Sequence, residues 1–403
     1  MAETRHGGTR AKLTTNCEED IDERSWSVTG AVREVTVVGG GVLGTMHAWF
    51  ALRRGHRVVQ IERDAEARSA SVRNFGLVWV SGRSDGVELT LALRARELWE
   101  DIGRRVPGLG FRPDGSLTVA LGDVELSVMA EYANSVRAKE RDTVLLEPDE
   151  VRAVNPALRG TIAGALHCRR DAIVESRVAQ PALRAAMAAT GRYQFVNDRH
   201  VVSRDTTSVI DHRGDRYEAD VLVICPGAVH DGLAGEHLST APVCRCQLQM
   251  MQTAPLDDAL TTSIADIDSL RYYPAYEELD LDRLGTQEPV AASHRMQLLL
   301  VQRLDGSLTI GDTHVYDEPF PFDVHEDPYS HLLARAEAIL GRPLPPVERR
   351  WSGIYSQLAP GAPDHAVYHH VELETGVVVV TGPGGRGMTL APAIAEQTWE
   401  HLT

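Results

Sequence analysis

At 403 residues, with 43% hydrophobic and 24% charged side chains, the chain is long enough for two packed cores and has a globular composition. Its formal charge of −16 argues against nucleic acid and anionic membrane surfaces as partners, since both require a basic face. Lys12 and Lys139 are the only lysines, the five cysteines form no C-x-x-C pair, and no stretch approaches the roughly 18 apolar residues of a membrane span.

Residues 1–30 are polar and charged with no apolar run, which predicts a disordered tail and neither a signal peptide nor an anchor. With an odd cysteine count in so long a chain, this points to the cytoplasm. From Arg33 the pattern changes. Val35–Val38 reads as a buried strand, followed by the turn Gly39-Gly40-Gly41-Val42-Leu43-Gly44 and a helix that stops at Gly55. Arg57–Ile61 is a second strand closed by Glu62 and Arg63, completing a βαβ unit. An irregular segment through Ser71, Asn74 and Gly76 precedes a helix over 86–104, a strand near Leu117–Ala120 and a helix over 124–139. A helix over 179–190 and short β runs lead to the buried strand Val221–Ile224, which enters Pro226-Gly227. Residues 241–345 alternate like β structure, and Val377–Thr381 runs into Gly382-Pro383-Gly384-Gly385-Arg386-Gly387 and a last helix starting near Met388.

Gly39, Gly41 and Gly44 satisfy G-x-G-x-x-G between a strand and a helix. That spacing permits a tight turn, close approach of a diphosphate to the backbone, and helix–sheet packing. The amides opening the helix at Val42 and Leu43 suit an anion, and Glu62 stands where a carboxylate accepts ribose hydroxyls while repelling a 2′-phosphate. This motif alone leaves NAD and FAD open. The second glycine run decides for a flavin, because a helix N-terminus at Met388 places its dipole where charge collects on a reduced ring.

Together with Trp351-Ser352-Gly353 and Pro363-Asp364, these features resemble the D-amino-acid oxidase/glycine oxidase superfamily over residues 33–403. Within it, Ser71–Gly76, Arg245–Met250, Tyr273-Pro274-Ala275, Leu308–Asp312 and Gly387–Leu390 resemble the FAD-dependent oxidoreductases associated with 2-aminoethylphosphonate metabolism. The resemblance implies an α/β fold: a Rossmann-like FAD-binding domain (31–110, 147–240, 347–403) interleaved with a mixed-sheet substrate domain (111–146, 241–346). It implies FAD held without a covalent bond, with Ser71, Asn74, Gly76, Gly227, Gly385, Gly387 and Met388 beside the cofactor. A small amine would be oxidised by hydride transfer, with O2 or another acceptor taking the electrons. Arg271, Tyr272, Tyr273, His314, Tyr355 and Arg386 are the candidate substrate contacts, the arginines suiting a phosphonate, while Arg303 beside a hairpin turn reads as solvated.

Two departures from the family pattern bear on the chemistry. No cysteine follows Cys246, which removes the usual attachment point for covalent flavin, and no lysine follows Lys139 to activate oxygen. Gln247 also replaces a lysine of the subfamily string. Alternative readings are a flavin-dependent N-oxidase using NADPH and O2, a glycine/sarcosine-type oxidase, a non-catalytic flavoprotein and an NAD dehydrogenase. His365, His369 and His370 lack the acid partners of a metal site, so no metal is expected.

Overall fold

The runs Glu34–Val38, Arg57–Ile61, Val221–Ile224 and Val377–Thr381 are rich in valine and isoleucine and largely covered on both faces, the pattern of parallel strands under helices. They form the centre of a six-stranded sheet. Its order is His369–Glu374, Val377–Thr381, Val221–Ile224, Glu34–Val38, Arg57–Ile61, Tyr193–Val196. All neighbours are parallel except the hairpin at the His369–Glu374 edge. Val38 stands opposite Ile224 on one side and Ile61 on the other, so three strands end together at one edge. This computed structural model describes residues 31–205 and 207–402, and the tail expected over 1–30 lies outside the described residues.

Helix Val42–Arg53 is apolar on every side and correspondingly buried from Val42 to Leu52. It lies between the sheet and the C-terminal helix Gly387–His401, which also packs on helix Val87–Arg105. The opposite face is covered by a small antiparallel sheet, Val201–Arg204, Ser208–Asp211 and Arg216–Glu218.

A second, eight-stranded mixed sheet runs in the order Val347–Leu358, Val243–Pro255, Ser307–Gly311, Leu299–Gln302, Ser263–Ala265, Ser116–Ala120, Gly164–Cys168, Thr143–Leu146. One face packs on helix Glu326–Leu340. The other joins Phe75, Trp79, Tyr273 and Tyr355 in a core that borders the cleft between the sheets. The α/β class is as expected, but two strands change domain. Gly164–Cys168 and Val347–Leu358, expected with the dinucleotide unit, belong to the second sheet. The first pairs with both Ser116–Ala120 and Thr143–Leu146, and the second pairs with Val243–Pro255 along most of its length. The helix expected over 124–139 is two helices, Asp123–Ala133 and Val136–Glu140. Ser135 breaks it because its hydroxyl caps the second helix by accepting from the Ala138 amide at 3.1 Å. No helix of the described residues is long and apolar enough to cross a membrane.

Candidate active site

The three-strand edge carries the first glycine turn. A Cβ on Gly39, whose φ is +115°, would lie 2.3 Å from the Cys225 carbonyl oxygen, and one on Gly44 would lie 2.1 Å from the Gly39 carbonyl oxygen. Strand, turn and helix therefore meet only where these two residues lack side chains. Gln60 donates to the Gly39 carbonyl at 2.9 Å and is itself held by the Tyr193 hydroxyl at 2.6 Å. The Glu62 carboxylate is fixed by the amides of Gly40 (2.6 Å) and Asp64 (3.0 Å). Ser71 Oγ accepts from the Val42 amide at 2.9 Å, and no side chain caps the helix from its Gly41 N-cap.

The 71–76 segment is locked from within and from behind. Asn74 donates to the Ala70 carbonyl and accepts from the Gly76 amide, both at 2.7 Å. Arg303 donates to the carbonyls of Phe75 (2.8 Å) and Asn74 (3.1 Å) and to Thr309 Oγ1 (2.8 Å). Its expected exposure is therefore wrong. The side chain is half-buried, and burial pulls its pKa down to about 10. Sequence reasoning read only the hairpin turn beside it and had no view of the carbonyls across the cleft.

A cavity of about 520 Å³ connects these parts. Its walls include Gly39, Gly41, Val42, Leu43, Gly44, Glu62, Arg63, Ser71, Asn74, Gly227, Gly385, Gly387 and Met388, together with Tyr272, Tyr273, His314, Tyr355 and Arg386. Two sequence candidates stand apart. Gly76 lies behind the wall, facing the Val174 carbonyl. Arg271 is turned to its own segment, donating to Asp268 Oδ1 (3.2 Å) and the carbonyls of Leu281 (3.5 Å) and Gly285 (2.8 Å). Its i,i+3 carboxylate and the following loop satisfy it locally, which its neighbourhood of tyrosines did not reveal.

The cavity also holds residues that sequence reasoning missed: Arg83, Glu88, Gln297, Asp312 and Tyr316. Glu88 is buried. Burial pushes its carboxyl up, but Arg83 (3.7 Å) and Arg386 (3.3 Å), together with Ser84, outweigh that and hold it below the ordinary range. Arg386 further donates to the Pro383 carbonyl at 3.0 Å, fixing the turn ahead of helix Gly387–His401. Arg83 lies 5.7 Å from the centre of the Tyr273 ring. Asp312 Oδ1, Gln297 Oε1 and Tyr355 Oη are buried with no hydrogen-bond partner. Burial pushes the Asp312 carboxyl above its usual range, with the His314 ring beside it acting the other way. Of the missed residues only Asp312 had a signal, as the last residue of Leu308–Asp312.

The family described as FAD dependent oxidoreductase, DAO, matches residues 34–400. The chain belongs to this family. Among curated relatives, an opine oxidase subunit of Rhizobium meliloti is 28% identical over 50% of the chain and 58% of the relative, and glycine oxidase of Geobacillus kaustophilus is 25% identical over 48% and 54%. The matches to opine oxidase subunits span under two thirds of those relatives' length. In structure, glycine oxidase from Geobacillus kaustophilus aligns with a TM-score of 0.72 at 19% identity, covering 93% of this chain and 95% of that one. L-proline dehydrogenase from P. horikoshii aligns at 0.71 and 17%, covering 93% and 94%.

The residues of this DAO-family chain fit its FAD. A glycine-lined turn, a helix N-terminus whose N-cap is Gly41 and an anchored carboxylate lie along one arm of the cavity, and a second helix N-terminus at Gly387 closes the other. Cys225, the cysteine on the wall, is buried, and burial drives its thiol far up, so it offers no thiolate for attachment. No group of three or more His, Cys, Asp or Glu suited to a metal occurs among the described residues.

Proposed function

We propose that the chain oxidises a small amine with an anionic end, 2-aminoethylphosphonate foremost, by moving hydride from the carbon beside nitrogen to FAD. The observation that carries this reading is the polar lining of the chamber between the two sheets. The buried acceptors Asp312 Oδ1 and Gln297 Oε1 have no partners, and two guanidinium groups share the Glu88 carboxylate. Unpaired buried acceptors favour a ligand that brings N–H donors, which an amine supplies. Two arginines on one glutamate leave a positive charge over, suited to a phosphonate or carboxylate. Arg83 thus takes the role expected of Arg271. The relatives named opine oxidase and glycine oxidase are in keeping with an amine substrate.

In this reading Gly39, Gly41, Val42, Leu43 and Gly44 receive the diphosphate and Glu62 with Arg63 the ribose. Ser71, Asn74, Gly227, Gly385, Gly387 and Met388 face the ring, and Gly76 acts from behind through Asn74. Bound FAD supplies the two-electron acceptor. The chain's own task is to orient the amine, keep water out and hold the anionic end. As the carbon gives up hydride, the nitrogen lone pair closes a C=N bond, and water then releases aldehyde and ammonia. With no lysine beyond Lys139 near the ring, the electrons pass to O2 by another route or to a separate acceptor. The four cysteines among the described residues are free, which suits a cytoplasmic enzyme.

The test is an anaerobic spectrum of the holoenzyme with 2-aminoethylphosphonate, glycine and sarcosine added separately. The phosphonate should bleach the visible flavin band and yield phosphonoacetaldehyde and ammonia. Bleaching by glycine or sarcosine alone moves the substrate to amino acids. An oxime or hydroxylamine formed only with NADPH and O2 makes the protein an N-oxidase. No bleaching by any small amine overturns the reading.

A further inference from the structure

Asp312 follows strand Ser307–Gly311 and is 6% exposed. Its amide donates to the Gln297 carbonyl at 3.1 Å, which fixes the residue at the cavity wall. Oδ1 has no partner, and Oδ2 lies 3.8 Å from His314 Nε2. His314 is pinned in turn, with Nδ1 2.9 Å from the Arg295 carbonyl and its ring stacked on Tyr272 at 4.5 Å. At 3.8 Å the ring stands beyond hydrogen-bond distance, so the carboxylate keeps accepting capacity for a ligand.

Apart from His314, whose Nε2 faces Asp312, the other polar groups of the chamber are unsuited to receiving a proton. Glu88 is matched by two arginines. Gln297 is an amide, and burial drives Tyr272, Tyr273, Tyr316 and Tyr355 up, so they stay protonated. A buried carboxylate at a cavity wall with one oxygen unpaired has room for a donor, and a carboxyl displaced upward is a better base than a solvated one.

We propose that Asp312 is a catalytic residue, the group that takes the proton from the substrate's ammonium; this rests on the amine oxidation inferred above. The ammonium docks against the Asp312 carboxylate and one N–H proton passes to it, leaving a neutral amine and a protonated Asp312. The freed lone pair then forms the C=N bond as the adjacent C–H bond breaks and hydride, with both its electrons, goes to FAD. The product leaves as an iminium, which water converts to aldehyde and ammonium. The titratable groups facing Asp312 are His314, Tyr272, Tyr273, Tyr316 and Cys246.

The experiment compares wild type with Asp312→Asn, which keeps size and hydrogen bonding but cannot accept a proton. Anaerobic flavin reduction by 2-aminoethylphosphonate is followed between about pH 6 and pH 10, with a loss of ~100-fold expected for the variant at neutral pH. The gap should close roughly tenfold per pH unit as free amine becomes available in solution. The second readout needs no turnover. 2-Amino-2-methylpropylphosphonate has no C–H beside nitrogen, and its binding perturbs the flavin spectrum. Wild type should bind it at neutral pH and the variant only at alkaline pH. Equal pH profiles, or a loss of the same size at every pH, overturn the assignment while leaving amine oxidation standing. If wild-type flavin is reduced by no amine, the functional reading falls and this assignment with it.

Discussion

His47 sits in the middle of helix Val42–Arg53 with no exposed surface, its Nδ1 2.7 Å from the Leu43 carbonyl and its Nε2 3.2 Å from Thr398 Oγ1. Burial pulls its pKa from 6.5 to about 4, against the lift from the Leu43 carbonyl and with a small push from His370. A folded pKa below the unfolded one means that only the unfolded chain gains the proton between the two values. The stabilisation is therefore complete above about 6.5 and drains as pH falls toward 4. Between pH 7 and pH 5 this residue should cost the fold about 2 kcal/mol. Urea midpoints at the two pH values check this, and His47→Gln should shrink the drop. Arg303 is the counterpart cation, half-buried and bridging two carbonyls of the 71–76 segment.

At the scale of elements, the turn from Val38 into helix Val42–Arg53 separates two uses of glycine. A Cβ on Gly44 would meet backbone, the Gly39 carbonyl oxygen at 2.1 Å, which cannot move without parting strand from helix. A Cβ on Gly41 would meet only the Ser71 side chain, its hydroxyl at 3.0 Å, a contact that a shift of a few tenths of an ångström relieves. Gly44→Ala should lower the melting temperature of the apoprotein, at a cost of several kcal/mol, of the order of ~4. Gly41→Ala should melt near wild type but bind FAD ~10-fold more weakly, because its new methyl faces the cavity where a diphosphate approaches. Melting curves of the apoproteins and FAD titrations separate the two. Equal melting temperatures for both variants would refute the distinction.

Across the whole molecule, the eight-stranded sheet is tied to the segment after Leu77–Val78 by the buried Asp171. Its carboxylate accepts from the amides of Val80 (2.7 Å) and Ser81 (3.2 Å) and from the hydroxyls of Ser81 and Ser116 (both 2.6 Å). Ser116 opens a strand of the eight-stranded sheet, whereas Val80 and Ser81 follow the segment locked beside the glycine turn. One side chain thus joins the wall of the cofactor arm to the sheet that roofs the substrate chamber. Asp171→Ala strands these donors in a dry interior, at ~1–3 kcal/mol for each one left unpaired. A loss of at least about 4 kcal/mol in urea unfolding is expected, with weakened FAD binding because the arm loses its brace.

The βαβ unit, its glycine turn, Glu62 and the closing turn before Gly387 were all legible in the sequence. Each is encoded within one strand–turn–helix, where local sterics and the hydrophobic period leave a single reading. The chamber was not. Arg83, Gln297 and Asp312 come from three separate segments, and nothing around any one of them states that the others face it. Local sequence also did not reveal that Arg271, beside two tyrosines, spends its donors on Asp268 and nearby carbonyls. In the proposed reading cofactor recognition is written in consecutive residues, since backbone amides and missing Cβ atoms would do the binding. The substrate chamber instead depends on side chains meeting across two sheets, and only the packing of those sheets decides which charges are left without partners.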